Sequence, residues 1–486
     1  MKNIKLIIVT SILITFNSCK EKESLSNLKT AWKNQIGTLE KKYINISFQE
    51  SLNELRHSSE PWQKTNSVKS GIIQIGENHF LKLDTLTRRE KKYFSKTFYN
   101  KSTLLLWDFG SKEVEKITKT TFQNQLTNSF RYSPFNAIDF FKNTNTKITL
   151  TEEKSHFIYS TKYFNKTISI YINTLNNLVN KVTVLEHHEL FGDATTTFNY
   201  NNYKVMDSFQ YPKEIIISKI NGKVIDSIII KNVAIKEKKL AEITIPKNYK
   251  IHDDVPVTTE VITKKHNKNI YFIDLKHTDD KILLVEFKDY FFVAEAPLNS
   301  ENGELIINEA KKISPNKPIK YFAFGHYHPH YLGGIRAFVH KEATIITSKI
   351  TEEYINYIIT NSRKIKPDSL QIEPKKLKTK IIKDKIVISD GNYKMEIYFL
   401  GEKSNHTKDY LIYYFPKERL LFQDDSVWIS RKGALKKATG RQLALYNEII
   451  NLNLKVDTII QSWPVKDYGV KTIIPFKELE MSVQIK

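Results

Sequence analysis

Three histidines stand at alternate positions directly after an apolar segment. His326, His328 and His330 follow the strand predicted over Pro318–Phe324. In an extended chain this spacing turns all three imidazoles to one face, and convergent neutral imidazoles bind Zn²⁺ and similar ions. The chain has one cysteine, so the ligands of any metal must be mainly nitrogen and oxygen atoms. We therefore expect a metal site at this strand end.

The stretch around these histidines resembles the metallo-β-lactamase superfamily of hydrolases. The first motif of that family is H-x-H-x-D-H, followed by a Gly-Gly pair that opens a helix. In chain order, the matching residues are His326-Tyr327-His328-Pro329-His330-Tyr331, Leu332-Gly333-Gly334, His406 and Asp425. The resemblance covers roughly residue 269 to the C-terminus. It implies a first metal site of His326, His328 and His406, with Asp425 in the place of the metal-bridging aspartate.

The chain departs from the family at the second metal site. His330 stands in the place of the family's aspartate and Tyr331 in that of the next histidine. The last histidine is expected in Ile459–Val465, where Trp463-Pro464 stands instead. Asp425 remains, with His330 or the Tyr331 hydroxyl as possible substitutes for the missing ligands. The resemblance therefore implies one ion rather than two, zinc first and iron or manganese as alternatives.

Three nitrogen ligands on Zn²⁺ leave a fourth position for water, whose pKa the ion lowers to about 7. We expect Asp425 to orient that water or take its proton, and His330 to act as a ligand or general base. Asp424 is expected to point to the opposite side of an extended chain. The leading hypothesis is a metal-dependent hydrolase whose substrate the sequence does not reveal. The alternative is a catalytically degenerate protein of this fold that acts as an envelope binding or scaffold protein.

The N-terminus predicts export. A positively charged start precedes the apolar run Leu6–Phe16, which is too short to span a membrane. The sequence Phe16-Asn17-Ser18-Cys19 resembles the bacterial lipoprotein cleavage box, with Phe where Leu is usual. We expect residues 1–18 to be a signal peptide, Cys19 to be lipidated, and residues 19–30 to be a tether. The protein would then be a lipoprotein anchored in the membrane of the cell envelope, on either the periplasmic or the outer face. An ordinary signal peptide beside a chance cysteine is the alternative.

The rest of the chain is predicted to form two domains, over residues 31–250 and 262–486. The first contains alternating segments rich in β-branched and aromatic residues, separated by turns such as Asn221-Gly222, and this predicts an antiparallel β-rich domain. The end of this domain has a faint resemblance to the half-barrels of periplasmic lipoprotein carriers. Near its start, the polar stretch Leu28–Glu60 is compatible with a helix. In the second domain strands and helices alternate, and the resemblance implies a four-layer αββα arrangement. The fold class is therefore α+β.

The formal charge of +22 results from 66 lysines and nine arginines against 53 acidic residues, and the lysines are spread along the chain. Because arginine is the better partner for phosphates and base edges, this composition does not indicate nucleic-acid binding. The expected partners are a small-molecule substrate and, through the lipid anchor, the membrane. His187 and His188 lie near Glu189 and Asp193, but this spacing favours a surface turn over a second metal site.

Overall fold

The computed structural model describes residues 26–36, 42–55, 58–76, 79–88, 90–100, 103–109, 111–117, 126–206, 209–240, 243–253, 258–465 and 469–485. The predicted signal peptide and Cys19 lie outside these residues. Within them, no helix is both long and apolar enough to cross a membrane. The chain divides into two compact units. Unit 1 comprises residues 1–54, 64–186 and 194–255, and unit 2 comprises residues 55–63, 187–193 and 256–486.

Unit 1 consists mainly of strands. They are β1 Tyr43–Glu54, β2 Thr65–Gly76, β3 His79–Arg88, β4 Lys91–Tyr99, β5 Leu104–Asp108, β6 Glu113–Ile117, β7 Ile148–Glu152, β8 His156–Tyr163, β9 Lys166–Asn173, β10 Val179–His188, β11 Gly192–Met206, β12 Phe209–Lys219, β13 Val224–Lys236 and β14 Lys250–Asp253. In the described part of unit 1, two helices accompany the strands, α1 Ser26–Ile36 and α2 Pro134–Asn143. The helix prediction over Leu28–Glu60 is wrong at Tyr43–Glu54, which form β1. In β1 the buried residues alternate with partly exposed ones, and this period of two is that of a strand.

The strands of unit 1 form one 14-stranded sheet in the order β14-β6-β5-β4-β3-β2-β1-β13-β12-β11-β10-β9-β8-β7. The pairing is antiparallel along the chain, as the sequence predicts, except that β14 pairs parallel with β6. Both helices contribute to the main core through Leu28, Ala31, Phe135 and Ile138. Ser133 caps α2 by accepting a hydrogen bond from the Phe135 amide.

Unit 2 alternates strands and helices. Its strands are β15 Val261–Lys265, β16 Ile270–Leu275, β17 Asp280–Glu286, β18 Phe291–Ala294, β19 Ile319–Ala323, β20 Thr344–Thr347, β21 Lys378–Ile381, β22 Lys385–Ser389, β23 Lys394–Phe399, β24 Leu411–Phe415, β25 Leu420–Gln423, β26 Thr458–Gln461 and β27 Ile473–Pro475. Its α-helices are α3 Ser300–Ile313, α4 Pro329–Leu332, α5 Ile335–His340, α6 Glu352–Thr360, α7 Ser369–Ile372, α8 Gly440–Asn451 and α9 Phe476–Gln484. Short 3-10 helices span Lys349–Thr351 and Gly401–Ser404.

The strands of unit 2 form two sheets. One has seven strands in the order β15-β16-β17-β18-β19-β20-β21, and the other has six in the order β22-β23-β24-β25-β26-β27. They share one hydrophobic core, in which Phe272 and Phe292 of the first sheet meet Tyr413 and Phe422 of the second. A further core joins the six-stranded sheet to α8 and α9. This mixed α+β architecture confirms the broad fold class, and the ends of β18, β19 and β25 carry the candidate site.

Candidate metal centre

The structure brings His326, His328 and His406 together. One ligand nitrogen from each lies within 4.8 Å of the others, and among the described residues this is the group that could hold a metal ion. The ring centroids of His326 and His406 are 4.6 Å apart, and those of His328 and His406 are 5.4 Å apart. His326 and His328 follow β19, whereas His406 follows the 3-10 helix Gly401–Ser404 through Asn405 in the left-handed region. Two chain segments about 80 residues apart therefore supply one cluster.

Hydrogen bonds determine which nitrogens of the first two histidines face each other. Nδ1 of His326 lies 2.6 Å from Oδ2 of Asp424, and Nε2 of His328 lies 3.3 Å from the Ser58 carbonyl oxygen. Because both partners accept, these nitrogens carry the ring hydrogens, and Nε2 of His326 and Nδ1 of His328 are left with lone pairs. Those two nitrogens are 2.9 Å apart. Both lone pairs would be available to a cation bound by the cluster.

The electrostatics of His326 agree with metal binding. Burial lowers its pKa well below the usual range, and the neighbouring His328 and His406 lower it further. The imidazole is therefore neutral, which is the form that coordinates metals. Neutral nitrogen donors in a buried cluster fit zinc or a similar divalent ion.

Behind His326 lies a pair of buried carboxyls that the sequence did not single out. Asp424 accepts from His326, and its carboxyl is hydrogen-bonded to that of Glu295. Glu295 also accepts from the Gly325 amide, at 3.1 and 3.2 Å. Burial raises the pKa of Glu295 to about 8 and that of Asp424 well above its usual range. The pair therefore retains a proton at neutral pH.

The expectation that Asp424 points away from the site is wrong. Strand β25 ends at Gln423, so the alternation of an extended chain no longer applies at the next two residues. Glu295 directly follows β18 with a φ of 74°. An acidic residue at the end of a wholly apolar strand was the sequence signal that could have identified it.

Asp425 lies on the other side of the cluster. Its Oδ1 is 3.5 Å from Nε2 of His406, and its Oδ2 is 3.3 Å from Nη1 of Arg441. Burial raises the pKa of Asp425 to about 6, against the opposing effects of Arg441 and His330. This carboxylate is therefore ionised above pH 6 and lies beside the third histidine.

His330 does not join the cluster, because the chain is not extended there. Pro329 begins helix α4, in keeping with the preference of proline for the first helical position. The helical turn directs Nδ1 of His330 to the Asp280 carboxylate, at 3.1 and 3.2 Å. Burial lowers the pKa of His330, but the hydrogen bond and charge of Asp280 outweigh this and raise it overall. Burial raises the pKa of Asp280 to about 6.

Two residues that replace second-site ligands of the resembled family are aromatic. The buried Tyr331 ring lies 4.4 Å from that of His326, between ring centroids, and burial raises the pKa of Tyr331 well above its usual range. Trp463 lies 6.2 Å from His330 and 5.2 Å from Trp428, again between ring centroids. The rings of Tyr331 and Trp463 therefore lie beside His330, and Trp428 contacts Trp463.

Gly333-Gly334 lies where the sequence predicts a close approach. A Cβ atom on Gly333 would overlap the Leu298 backbone, and one on Gly334 would lie 2.9 Å from the Ala296 Cβ and the Gly303 amide. Helix α3, which contains Gly303, can therefore pack directly against the chain that leads into α5. Gly325 is similarly constrained, because a Cβ there would overlap the Asp424 carboxylate.

Residues 58–63, which we call the 58–63 segment, belong to unit 2 and lie against the cluster. The Ser58 carbonyl accepts from His328 and, at 2.9 Å, from the Tyr327 hydroxyl. The Ser59 carbonyl accepts from the Lys408 amide at 2.7 Å. One short segment thus contacts both the turn of the first two histidines and the turn of the third.

An aromatic cluster anchors this segment. Trp62 stacks on Phe191 at 5.5 Å between ring centroids and meets Tyr354 and Tyr357 edge-on, at 4.8 and 5.2 Å. Trp62 adopts the left-handed region with a φ of 62°, which places its ring in this cluster. The sequence offered no signal for this contact, because the partners are about 130 to 300 residues away.

His187 and His188 lie in unit 2 but outside the histidine cluster. Nδ1 of His188 accepts from the amides of Leu190 and Phe191, each at 3.2 Å. Burial lowers the pKa of His188 to about 4. The histidine therefore stabilises a turn, in agreement with the expectation from the sequence.

No family model and no curated protein matches the chain. Among solved structures, it is similar to a metallo-beta-lactamase from Pontibacter korlensis, at 16% identity over 46% of this chain and 97% of that one, with a TM-score of 0.34. It is also similar to a metallo-beta-lactamase from Hirschia baltica, at 16% identity over 46% of this chain and 96% of that one, with a TM-score of 0.32. Rubredoxin oxygen:oxidoreductase from Desulfovibrio gigas is similar at 14% identity over 46% of this chain and 60% of that one, with a TM-score of 0.33. Identities and TM-scores this low decide neither fold nor function, which rest on the geometry above.

Proposed function

We propose that this protein is a metal-dependent hydrolase with a single-ion site. The observation that supports it is the convergence of His326, His328 and His406, in which the lone-pair nitrogens of His326 and His328 face each other. When bound there, a divalent ion supplies Lewis acidity and lowers the pKa of water toward neutrality. We favour zinc because three neutral imidazoles suit it, with iron and manganese as alternatives.

Two groups of the chain flank the cluster and are positioned to move protons. Asp425, beside His406, is a base above pH 6 and is held in place by Arg441. His330, whose pKa is raised by the hydrogen bond and charge of Asp280, is the corresponding acid. Asp425 would orient water or take its proton, and His330 would protonate the leaving group.

The tautomers of the ligands are held by acceptors outside the cluster. Asp424 orients His326, and the Ser58 carbonyl orients His328. Such acceptors fix ring orientation and increase the basicity of the ligating nitrogen. They are the reason for expecting high affinity from only three protein ligands.

For unit 2 we propose the four-layer αββα arrangement. The core shared by the two sheets and the core joining the six-stranded sheet to α8 and α9 support it. An experimentally determined structure with four layers in another order would refute this assignment.

We also propose that the mature protein is lipid-anchored at Cys19 in the cell envelope. The support is the sequence alone, in which the sole cysteine follows a cleavage-box sequence. Mass spectrometry of the membrane fraction should show an acylated N-terminal Cys19, and Cys19→Ala should abolish membrane retention. Retention of that variant would contradict the anchor.

The metal content and turnover of the purified full chain test the enzymatic proposal. We expect about one equivalent of zinc after reconstitution, and less than a tenth in His326→Ala. His340→Ala, at the end of α5, is the matched control and should keep the metal. Less than a tenth of an equivalent of zinc, iron or manganese in the wild type would refute the site.

A panel of esters, lactones, thioesters, sulfates and phosphodiesters separates an enzyme from a binding protein. If the loaded wild type hydrolyses a member of the panel, His328→Ala should lose that turnover while His340→Ala keeps it. A full equivalent of metal without turnover on any substrate class would favour the alternative, a degenerate hydrolase fold used for binding in the envelope. The second-site replacements at His330, Tyr331 and Trp463 are the observation that favours that alternative.

A further inference from the structure

Residues 426–439, which we call the 426–439 segment, connect two residues of the candidate site. The segment starts after Asp425, which lies beside His406, and ends just before Arg441. Nη1 of Arg441 lies 3.3 Å from Oδ2 of Asp425, so an ion pair joins the residues that flank the two ends of the segment. Both ends of the segment are therefore at the metal centre.

This segment carries a net positive charge. It contains Arg431, Lys432, Lys436 and Lys437 and no acidic residue. The three lysines are exposed, and no described carboxylate forms an ion pair with any of them. Other lysines of unit 2 have such partners, as in Lys281–Asp274, Lys317–Glu286, Lys378–Glu342, Lys385–Glu396 and Lys471–Glu478. The exposed lysines therefore make this part of the surface positive, which favours the approach of anions.

Apolar and backbone contacts hold the segment in place. Val427 and Ile429 are fully or almost fully buried in the core under α8, where Leu435 also packs. The Arg431 amide donates to the Gly469 carbonyl at 2.7 Å, and the Ala438 amide donates to Ser482 at 2.9 Å. The lysines therefore project from an anchored backbone into solvent.

Aromatic side chains lie where the segment leaves the site. The Trp428 indole donates to the Asp425 carbonyl at 2.8 Å, and its ring contacts that of Trp463. More than a third of Trp428 is exposed, so the ring presents an apolar surface beside the cluster. The segment thus carries an exposed aromatic ring next to Asp425 and exposed lysines further along the chain.

We propose that the substrate is an anionic small molecule whose phosphate, sulfate or carboxylate group binds the lysines of the 426–439 segment. The proposal rests on the hydrolase function and deepens it by naming the substrate class. A positive surface beside the site raises the local concentration of anions and speeds their association. The aromatic rings at the start of the segment would contact an apolar portion of the same molecule.

Calorimetric titration of the metal-loaded full chain with phenylphosphonate tests this proposal. This probe carries an anionic group and a ring and contains no hydrolysable ester. Its uncharged diethyl ester is the control ligand. Lys432→Gln/Lys436→Gln/Lys437→Gln should weaken phenylphosphonate binding about tenfold and reduce its salt dependence, since each exposed charge contact contributes modestly. The control Lys311→Gln/Lys376→Gln/Lys383→Gln changes the net charge equally at exposed lysines elsewhere in unit 2 and should leave the Kd unchanged.

Equal Kd values for the two triple variants, or no binding of phenylphosphonate to the loaded wild type, would overturn the proposal. Turnover of neutral esters that is insensitive to the 426–439 variant would overturn it while leaving the hydrolase function intact. A selective loss of phenylphosphonate binding without turnover of any substrate would support the anion surface and refute the hydrolase. Equal binding of the neutral diester would also refute recognition by charge.

Discussion

Replacing Asp424 by Asn should weaken metal binding without unfolding the protein. The side chains of Asp424 and His326 are both fully buried, and their contact of 2.6 Å is short for an N–H···O hydrogen bond. Asparagine can still accept from Nδ1 through its amide oxygen, so the His326 tautomer and ring orientation should persist. The negative charge that remains on the singly protonated Asp424–Glu295 pair, and that makes Nε2 more basic, moves away from His326.

Changes to carboxylates behind metal-bound histidines typically cost ~10–100-fold in metal affinity. Because tenfold corresponds to ~1.4 kcal/mol, the expected loss of binding free energy is about 1.4–2.7 kcal/mol. We expect the upper half of this range, since the two side chains are fully buried and in direct contact. Competition between the full chain and a chromophoric chelator measures the zinc Kd directly.

The matched control is Asp274→Asn, which also neutralises a buried aspartate of unit 2 but one that pairs with Lys281. We expect the zinc Kd of this control to be close to the wild-type value. A Kd for Asp424→Asn within twofold of wild type would refute the role of Asp424. Equal losses in the two variants would show that the effect is general destabilisation.

Three further predictions concern the surroundings of the cluster. The raised pKa of Glu295, about 8 against 4.5 in an unfolded chain, contributes stability that is present below pH 4.5 and lost as pH rises toward 8. Relative to Glu295→Gln, metal-free wild type should therefore lose ~1.4 kcal/mol of unfolding free energy per pH unit across that window in urea titrations, and parallel pH profiles would contradict this. Trp62→Ala should raise the zinc Kd about tenfold by releasing the Ser58 carbonyl, whereas Trp107→Ala in unit 1 should not; equal values in chelator competition would exclude the link. Asp280→Asn should lower the pKa of His330 in NMR titrations, because its hydrogen-bonded charge is removed, and an unchanged pKa would contradict the pairing.

The sequence was sufficient to predict the ligand cluster, because spacing and the family resemblance both indicate His326 and His328, and the resemblance alone indicates His406. It failed at His330, where proline began a helix inside an otherwise plausible alternation. It also misplaced Asp424, because an alternation rule was extended past the last residue of β25. In each case the local backbone changed conformation within one or two residues of a correctly predicted strand.

Some features of the fold were likewise predictable from the sequence and others were not. Alternating strands in unit 1 and alternating strands and helices in unit 2 were predictable from residue patterning. The strand Tyr43–Glu54 was not, because its outward positions are polar and its inward positions include Glu50, which hides the period of two. Contacts such as that of Ser58 with Tyr327 depend on tertiary packing and have no counterpart in local sequence.

The 58–63 segment has a consequence for how the metal centre forms during folding. Its contacts with Tyr327 and His328 join residues 269 and 270 positions apart, and the third histidine lies still further along the chain. Closing so long a loop costs conformational entropy before any contact is gained, and chains rich in such contacts fold slowly. The centre can therefore be completed only after the ribosome has synthesised the chain beyond Asp425. Metal uptake would thus report the end of folding, and early stages would proceed without the ion.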